Sequence, residues 1–315
     1  MPLSNTEHAK TNWSIAQYDL VVIDEISMIS DDNFKHVIST LNRILFRPVL
    51  ILGGDISQQQ SFVKDDKRIV NVKSPLNNEQ FVNSAYHFFL HGQHRLGDKE
   101  YLTFLDHIRH WQPEQKFLDE FQREMVICVD GQMCEEKLMA QFIQSENVTL
   151  LTISNNGANY LNTLIVKSIF AQDETLAHIF FDGQTNLLPV FKGMRVIITQ
   201  NRDKSNGVIN GQIASVHAFH NSTIFLELPN KTIVPIYQVT TCTNNENVTT
   251  YPLHIRYAST TCKSQGETLS NVILWFDCDK IPPGTAYVAL SQVRKRENIK
   301  FLFPLKKSFF TPVLT

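Results

Sequence analysis

The sequence contains no apolar run near the roughly 18–20 residues that a membrane-spanning helix requires, and Met1 to Lys10 lack the apolar core of a secretory leader. The chain is therefore expected inside the cell, in the nucleus if its source is eukaryotic. No C-x2-C spacing occurs either. Cys128, Cys134, Cys242, Cys262 and Cys278 are odd in number and scattered, which argues for reduced thiols over a zinc site or a disulfide framework. Sequons such as those at Asn147 and Asn221 carry no weight without a leader. Charge of one sign is lacking too: formal net charge is −2, so any nucleic-acid track must be a local basic face rather than a bulk property. Internal repeats and low-complexity tracts are absent. What remains is an ordinary globular composition, 43% hydrophobic and 19% charged, in 315 residues, a length at which two domains are the default.

The first clear element is Asp19-Leu-Val-Val-Ile-Asp24, an apolar run of strand length. A helical stretch follows from Asp31 to Leu45, with Phe34, Val37, Ile38, Leu41, Ile44 and Leu45 at helical spacing, and a second apolar run, Pro48 to Leu52, ends in Gly53-Gly54-Asp55. Two such strands joined by a helix form a βαβ unit, whose functional groups sit at the C-terminal strand ends. Tyr101, Phe104, Leu105 and Ile108 mark a helix over 100–110, and 111–146 reads as a connection. A βα pattern restarts at Val148, with a helix expected over 158–171. Short alternating segments with Asn-Gly turns then indicate a small all-β insertion at 201–250, before a strand at Val272–Phe276 and a helix at Tyr287–Leu290.

Val21-Val22-Ile23-Asp24-Glu25 is a Walker B pattern. An apolar strand delivers two adjacent carboxylates, of which the first can hold Mg²⁺ while the second orients and deprotonates an attacking water. Asp-Glu-Ile-Ser-Met28, followed by Leu-Gly-Gly-Asp55-Ile-Ser-Gln58, resembles motifs II and III of the PIF-type and RecD-like helicases of superfamily 1. Gln93-His94-Arg95 with the helix through Arg109 resembles their motif IV. Leu151-Thr152 through Asn155, Asn159 and Asn162 looks like the start of a second motor lobe, and Lys192-Gly193-Met194-Arg195-Val196 with Asn201 and Asn210-Gly211 like the approach to a small insertion. Tyr257 through Thr268 is similar to motif V, and Gly284 through Ser291 to motif VI.

That resemblance implies an α/β fold of tandem RecA-like P-loop NTPase lobes, the first incomplete, with a small SH3-like β insertion in the second. The lobes would comprise 1–110 and 147–200 with 251–315. It implies ATP- and Mg²⁺-dependent unwinding of DNA with 5′-to-3′ movement, acting on single-stranded and forked DNA and on no membrane. Asp24 would carry the magnesium, Glu25 the water, Gln58 the sensing of the terminal phosphate and Arg95 the transition-state charge. Asp55, Gln265, Gly266 and Gln292 would meet the nucleotide; Lys263, Ser264, Thr268 and Asn210 would meet DNA. Phe180 and Phe181 are the aromatics expected to stack on bases, with Tyr160, Phe170 and Phe191 in the core.

Two departures stand out. No G-x-x-x-x-G-K-[ST] sequence occurs, so the triphosphate lacks its cradle and lysine, and a separate polypeptide or an upstream segment would have to supply them. Motif VI reads Ala289-Leu290-Ser291-Gln292-Val293, with a neutral amide where the family pattern has arginine. A silent nucleic-acid- or partner-binding remnant of such a motor is the competing expectation.

Overall fold

The computed structural model describes residues 17–43, 48–55, 57–58, 62–65, 68–71, 75, 78–90, 97–145, 147–170, 172–183, 186–243 and 246–313, without the side chains of 62–65, 68–71, 80–81, 243 and 246. Two compact units divide the chain: Met1–Val129 with Thr261–Leu269 and Cys278–Thr315, and Asp130–Thr260 with Ser270–Asp277. The first division falls inside the expected connection. By contrast, 261–269 and 278–315, expected in the second lobe, pack in the first unit, where Gln58, Tyr101 and Gln122 find their partners.

In the first unit β1 (Leu20–Ile23) and β2 (Val49–Leu52) are parallel, paired from Leu20↔Val49 to Ile23↔Leu52, with α1 (Asp31–Leu41) between them in sequence. The helix starts where Ser30 Oγ accepts the Asn33 N–H and two aspartates occupy the first turn, both favourable at a helix N-terminus. It ends at Leu41, short of the expected Leu45, and 44–47 lie outside the described residues. One face of the sheet is bare: Leu20, Val22, Val49 and Ile51 are 47%, 59%, 64% and 49% exposed. Parallel sheets are normally covered on both faces. A hairpin of β3 (Phe62–Asp65) and β4 (Arg68–Asn71) and the short α2 (Glu79–Ser84) follow.

Helix α3 (Lys99–His110) is capped by Asp98, whose carboxylate accepts the Tyr101 N–H at 3.0 Å. Its stripe of Tyr101, Phe104, Leu105 and Ile108 is buried, as its spacing predicts. Phe104 stacks on Phe121 of α4 (Gln115–Gln122) with ring centroids 3.7 Å apart. The expected connection thus holds a helix of the first unit, α4, and one of the second, α5 (Glu135–Gln144).

The second unit is built on β5 (Val148–Thr152) and α6 (Asn155–Ile169). After the antiparallel pair β6 (Thr175–Ile179) and β7 (Leu188–Phe191) come β8 (Arg195–Ile198), β9 (Ile213–His220), β10 (Thr223–Glu227) and β11 (Ile233–Ile236). The hairpin β12 (Val239–Thr243) and β13 (Glu246–Thr250) precedes β14 (Leu253–Ile255), β15 (Ala258–Thr260) and β16 (Asn271–Trp275). Strands β15 and β16 flank β5, both parallel to it. The expected insertion is a five-stranded antiparallel sheet in the order β11-β10-β9-β8-β14, which begins before 201 and closes after 250 because β8 pairs with both β9 and β14.

Asn162 locks the parallel core. From α6 its amide oxygen accepts the N–H groups of Tyr257 and Ala258 at 2.9 and 2.7 Å, and its amide nitrogen donates to the Ala258 carbonyl at 3.1 Å. Truncating it strands three buried backbone groups, each a desolvation penalty. Asn162→Ala is expected to lower the unfolding free energy of this unit by about 2–4 kcal/mol, read as a drop in the urea midpoint at unchanged slope.

The chain then returns to the first unit with α7 (Thr285–Ser291) and β17 (Ile299–Phe301). Tyr101 donates its hydroxyl to the Leu290 carbonyl at 2.6 Å, and Gln122 receives the Leu305 N–H on its amide oxygen.

Candidate functional site

The carboxylate pair leaves β1 at a tight corner. Glu25 adopts a left-handed backbone, φ 53° and ψ 47°, and starts a single 3-10 turn over Ile26–Met28. Such a conformation costs a non-glycine residue about 1–2 kcal/mol, so it persists only where surroundings enforce it. The enforcing contacts are on the neighbouring strand: Gly53 donates its N–H to the Ile23 carbonyl and accepts the Ile26 N–H, at 2.8 and 3.0 Å. A Cβ on Gly53 would lie 3.3 Å from Asp24 Oδ1, and one on Gly54 would lie 3.0 Å from the Ile26 nitrogen. The Gly-Gly pair after β2 is therefore what lets the carboxylate corner close.

Asp24 is exposed, and its Oδ1 accepts the Glu25 N–H at 2.9 Å. Its second oxygen accepts no hydrogen bond among the described residues. A single open carboxylate at a strand end fits Mg²⁺, which takes one or two carboxylates and completes its shell with water and phosphate oxygens.

Glu25 is engaged from far along the chain. Gln265 donates its side-chain amide both to Glu25 Oε2 and to Gln58 Oε1, each at 2.9 Å. Gly266 follows at φ 82°, a backbone conformation that favours glycine, and a Cβ there would make only an ordinary contact, 3.6 Å, with Glu25 Oε1. The amide oxygen of Gln265 is buried with no hydrogen-bond partner among the described residues. Four expected nucleotide-site residues, Glu25, Gln58, Gln265 and Gly266, thus converge on one spot.

Asp55 has other company. Its Oδ1 accepts the Ser57 N–H at 2.9 Å and Arg109 Nη2 at 2.6 Å, and its Oδ2 accepts the Tyr287 hydroxyl at 3.4 Å. The Arg109 guanidinium also lies over the Tyr287 ring, 5.8 Å from its centroid. Burial, and after it the Asp55 charge, push the Tyr287 phenol up to about 12. Nothing local in the sequence pointed to this trio.

Among the other expected residues, Gln292, Ser264 and Phe181 are buried. Gln292, expected at the nucleotide, is 2% exposed and folds back to donate to the Val288 carbonyl of its own helix at 3.0 Å; its amide oxygen is buried without a partner among the described residues. Ser264 is fully buried at the end of the 3-10 turn Thr261–Ser264, so its hydroxyl is not on the loop surface, whereas Lys263 and Thr268 are exposed. Asn210 is exposed in the second unit, its N–H held by Asn201 Oδ1. Phe181 is a core residue; Phe180 is partly exposed, and so is Tyr160, which was expected in the core. Arg95 lies outside the described residues.

By sequence, no family model and no curated protein matches. By structure, the chain shares the fold of solved Pif1 helicases. The Bacteroides protein in complex with ADP-AlF3 and single-stranded DNA matches with TM-score 0.74 at 20% identity, over 99% of this chain and 76% of that one. The Candida albicans protein matches with TM-score 0.70 at 18% identity, over 98% and 76%. A Pif1 from a study of unwinding at forked duplex DNA matches with TM-score 0.71 at 20% identity, over 99% and 74%. The α/β architecture expected from the motif order is the one these structures share.

Proposed function

We propose that this chain is the larger part of an ATP-driven DNA helicase motor of the PIF/RecD-like type, moving 5′ to 3′ along single-stranded DNA and opening forked duplexes. The observation that carries the reading is the Gln265 bridge between Glu25 and Gln58. Three stretches of chain that resemble motifs II, III and V meet side chain to side chain, as a nucleotide-sensing site requires. The unpartnered amide oxygen of Gln265 supports it, since a buried acceptor costs about 1–3 kcal/mol until a donor reaches it. In this reading Asp24 holds Mg²⁺, Glu25 orients and deprotonates the attacking water, Gln58 senses the terminal phosphate and Arg95 meets transition-state charge. When bound, the metal supplies charge neutralisation on the phosphate oxygens.

The bare face of β1 and β2 belongs to the same proposal. A polypeptide layer carrying the phosphate-binding loop would cover Leu20, Val22, Val49 and Ile51, contributed by a separate chain or by a longer form of this one. The proposal is tested by DNA-stimulated ATP hydrolysis of the Gln292→Arg protein in the presence of that layer: activity should vanish when Glu25→Gln is added, and equal turnover in that variant would sink it.

One observation favours a second reading, a catalytically silent DNA-binding remnant: the buried neutral Gln292 where the family pattern places a phosphate-contacting cation. Both readings share the DNA contact. Exposed Lys263 and Thr268 in the first unit, and exposed Asn210 in the second, should each meet a strand through phosphates without sequence preference. Lys263→Ala is expected to weaken single-strand binding and to reduce the slope of log affinity against log salt by about 0.7, the value of one phosphate contact on a single strand. An unchanged slope in a fluorescence-anisotropy titration would move the track elsewhere.

A further inference from the structure

We infer that Arg109, backed by Tyr287, is a positioning residue for the nucleotide-sensing glutamine: it fixes Asp55, and through Asp55 sets where Gln58 and Gln265 stand on Glu25. The inference deepens the helicase reading and rests on it only for what the positioned Gln58 does. The connection is continuous. Arg109 Nη2 and the Ser57 N–H share one Asp55 oxygen, closing an Asx turn in the segment after β2. The Gln58 N–H donates to the Asp55 carbonyl at 3.1 Å, so Gln58 leaves the backbone from that turn. Its side-chain oxygen then receives Gln265, which also holds Glu25.

Asp55 is thus pinned from two helices, by Arg109 at the end of α3 and by Tyr287 in α7. A lysine could keep the charge at 109 but not the planar fork that reaches the carboxylate while lying against the tyrosine ring. The Arg109–Asp55 pair is mostly shielded, with side chains 29% and 20% exposed, and Arg109 Nε is buried without a partner among the described residues. Such a group is held for its geometry rather than for solvation.

The test uses the 315-residue protein with ¹⁵N-labelled glutamine, following the side-chain NH₂ resonances of Gln265, assigned by their loss in Gln265→Asn. Neither nucleotide nor DNA is needed, so the outcome is readable even if the helicase reading fails. Gln58→Ala defines the shift produced by losing the Gln58 contact. Arg109→Gln is expected to move the Gln265 resonances toward that position, Arg109→Lys part of the way and Tyr287→Phe less. A merely structural Arg109 would lower the melting temperature and leave those resonances in place, and that result would overturn the inference. If Arg109→Gln does not fold, Arg109→Lys and Tyr287→Phe decide it by the same signals.

Discussion

On the helicase reading, ATP turnover by these 315 residues is expected only when two changes are made together. Of four proteins assayed with saturating single-stranded DNA, the 315-residue chain, the chain fused to a Walker A segment and the Gln292→Arg variant should all be nearly inactive; the double repair should turn over. The two repairs address different physics. Asp24 and Glu25 can place metal and water but cannot hold a triphosphate, which needs backbone N–H groups and a lysine. On the helicase reading, Gln292 stands where the family pattern has a cationic contact of a kind worth about 10³–10⁵ in rate.

The burial of Gln292 adds a second readout. An arginine there places a guanidinium where the neutral amide now caps the Val288 carbonyl. Without a phosphate to meet, that charge should cost roughly 1–3 kcal/mol of stability, visible as a lower melting temperature that nucleotide restores only in the double repair. DNA-stimulated hydrolysis by the unmodified polypeptide, abolished by Glu25→Gln, would show that this division of labour is wrong.

The second large effect belongs to Asp277. Its Oδ1 accepts the N–H groups of Ile153 and Ser154 at 2.8 and 3.1 Å, and its Oδ2 accepts the Ser154 hydroxyl, so one carboxylate closes the N-terminus of α6. Charge-assisted bonds and the helix dipole favour an anion there. Asp277→Ala is expected to cost about 3 kcal/mol. Gly157→Ala should cost about 2 kcal/mol, because its Cβ would fall on Asp277 Oδ2 and displace the carboxylate. The two changes disrupt one interaction, so their combination should destabilise by clearly less than the sum in a urea-unfolding cycle. Additive effects would mean that the carboxylate is not what stabilises this corner.

What the sequence made legible follows from how far each signal reaches. The spacing of Phe34 and of Tyr101, Phe104, Leu105 and Ile108 predicts which helix faces are buried, because a helix repeats locally. Glu25, Gln58, Gln265 and Gly266 were expected together through a resemblance in motif order, and the geometry brings them together. Spacing names faces and not partners. Arg109 meets Asp55 across 54 positions and Tyr287 meets it across 232, and neither pairing leaves a periodic trace. The burial of Gln292 and Ser264 was hidden for a related reason: a polar residue beside a motif reads as exposed, and in Gln292 it is the backbone of its own helix that takes the amide.

The threading of the first unit bears on how the protein is made. Tyr101 waits for Leu290, 189 positions later, and Gln122 waits for Leu305, 183 positions later. The second unit, by contrast, has its last strand once residue 275 has been synthesised. On a ribosome the order of completion is therefore inverted, with the later-encoded unit able to close while the helices α3 and α4 still lack their cover. Contacts of such sequence separation form slowly, so the apolar stripe of Tyr101, Phe104 and Phe121 is expected to gain its full cover only after residues 290–305 have been synthesised.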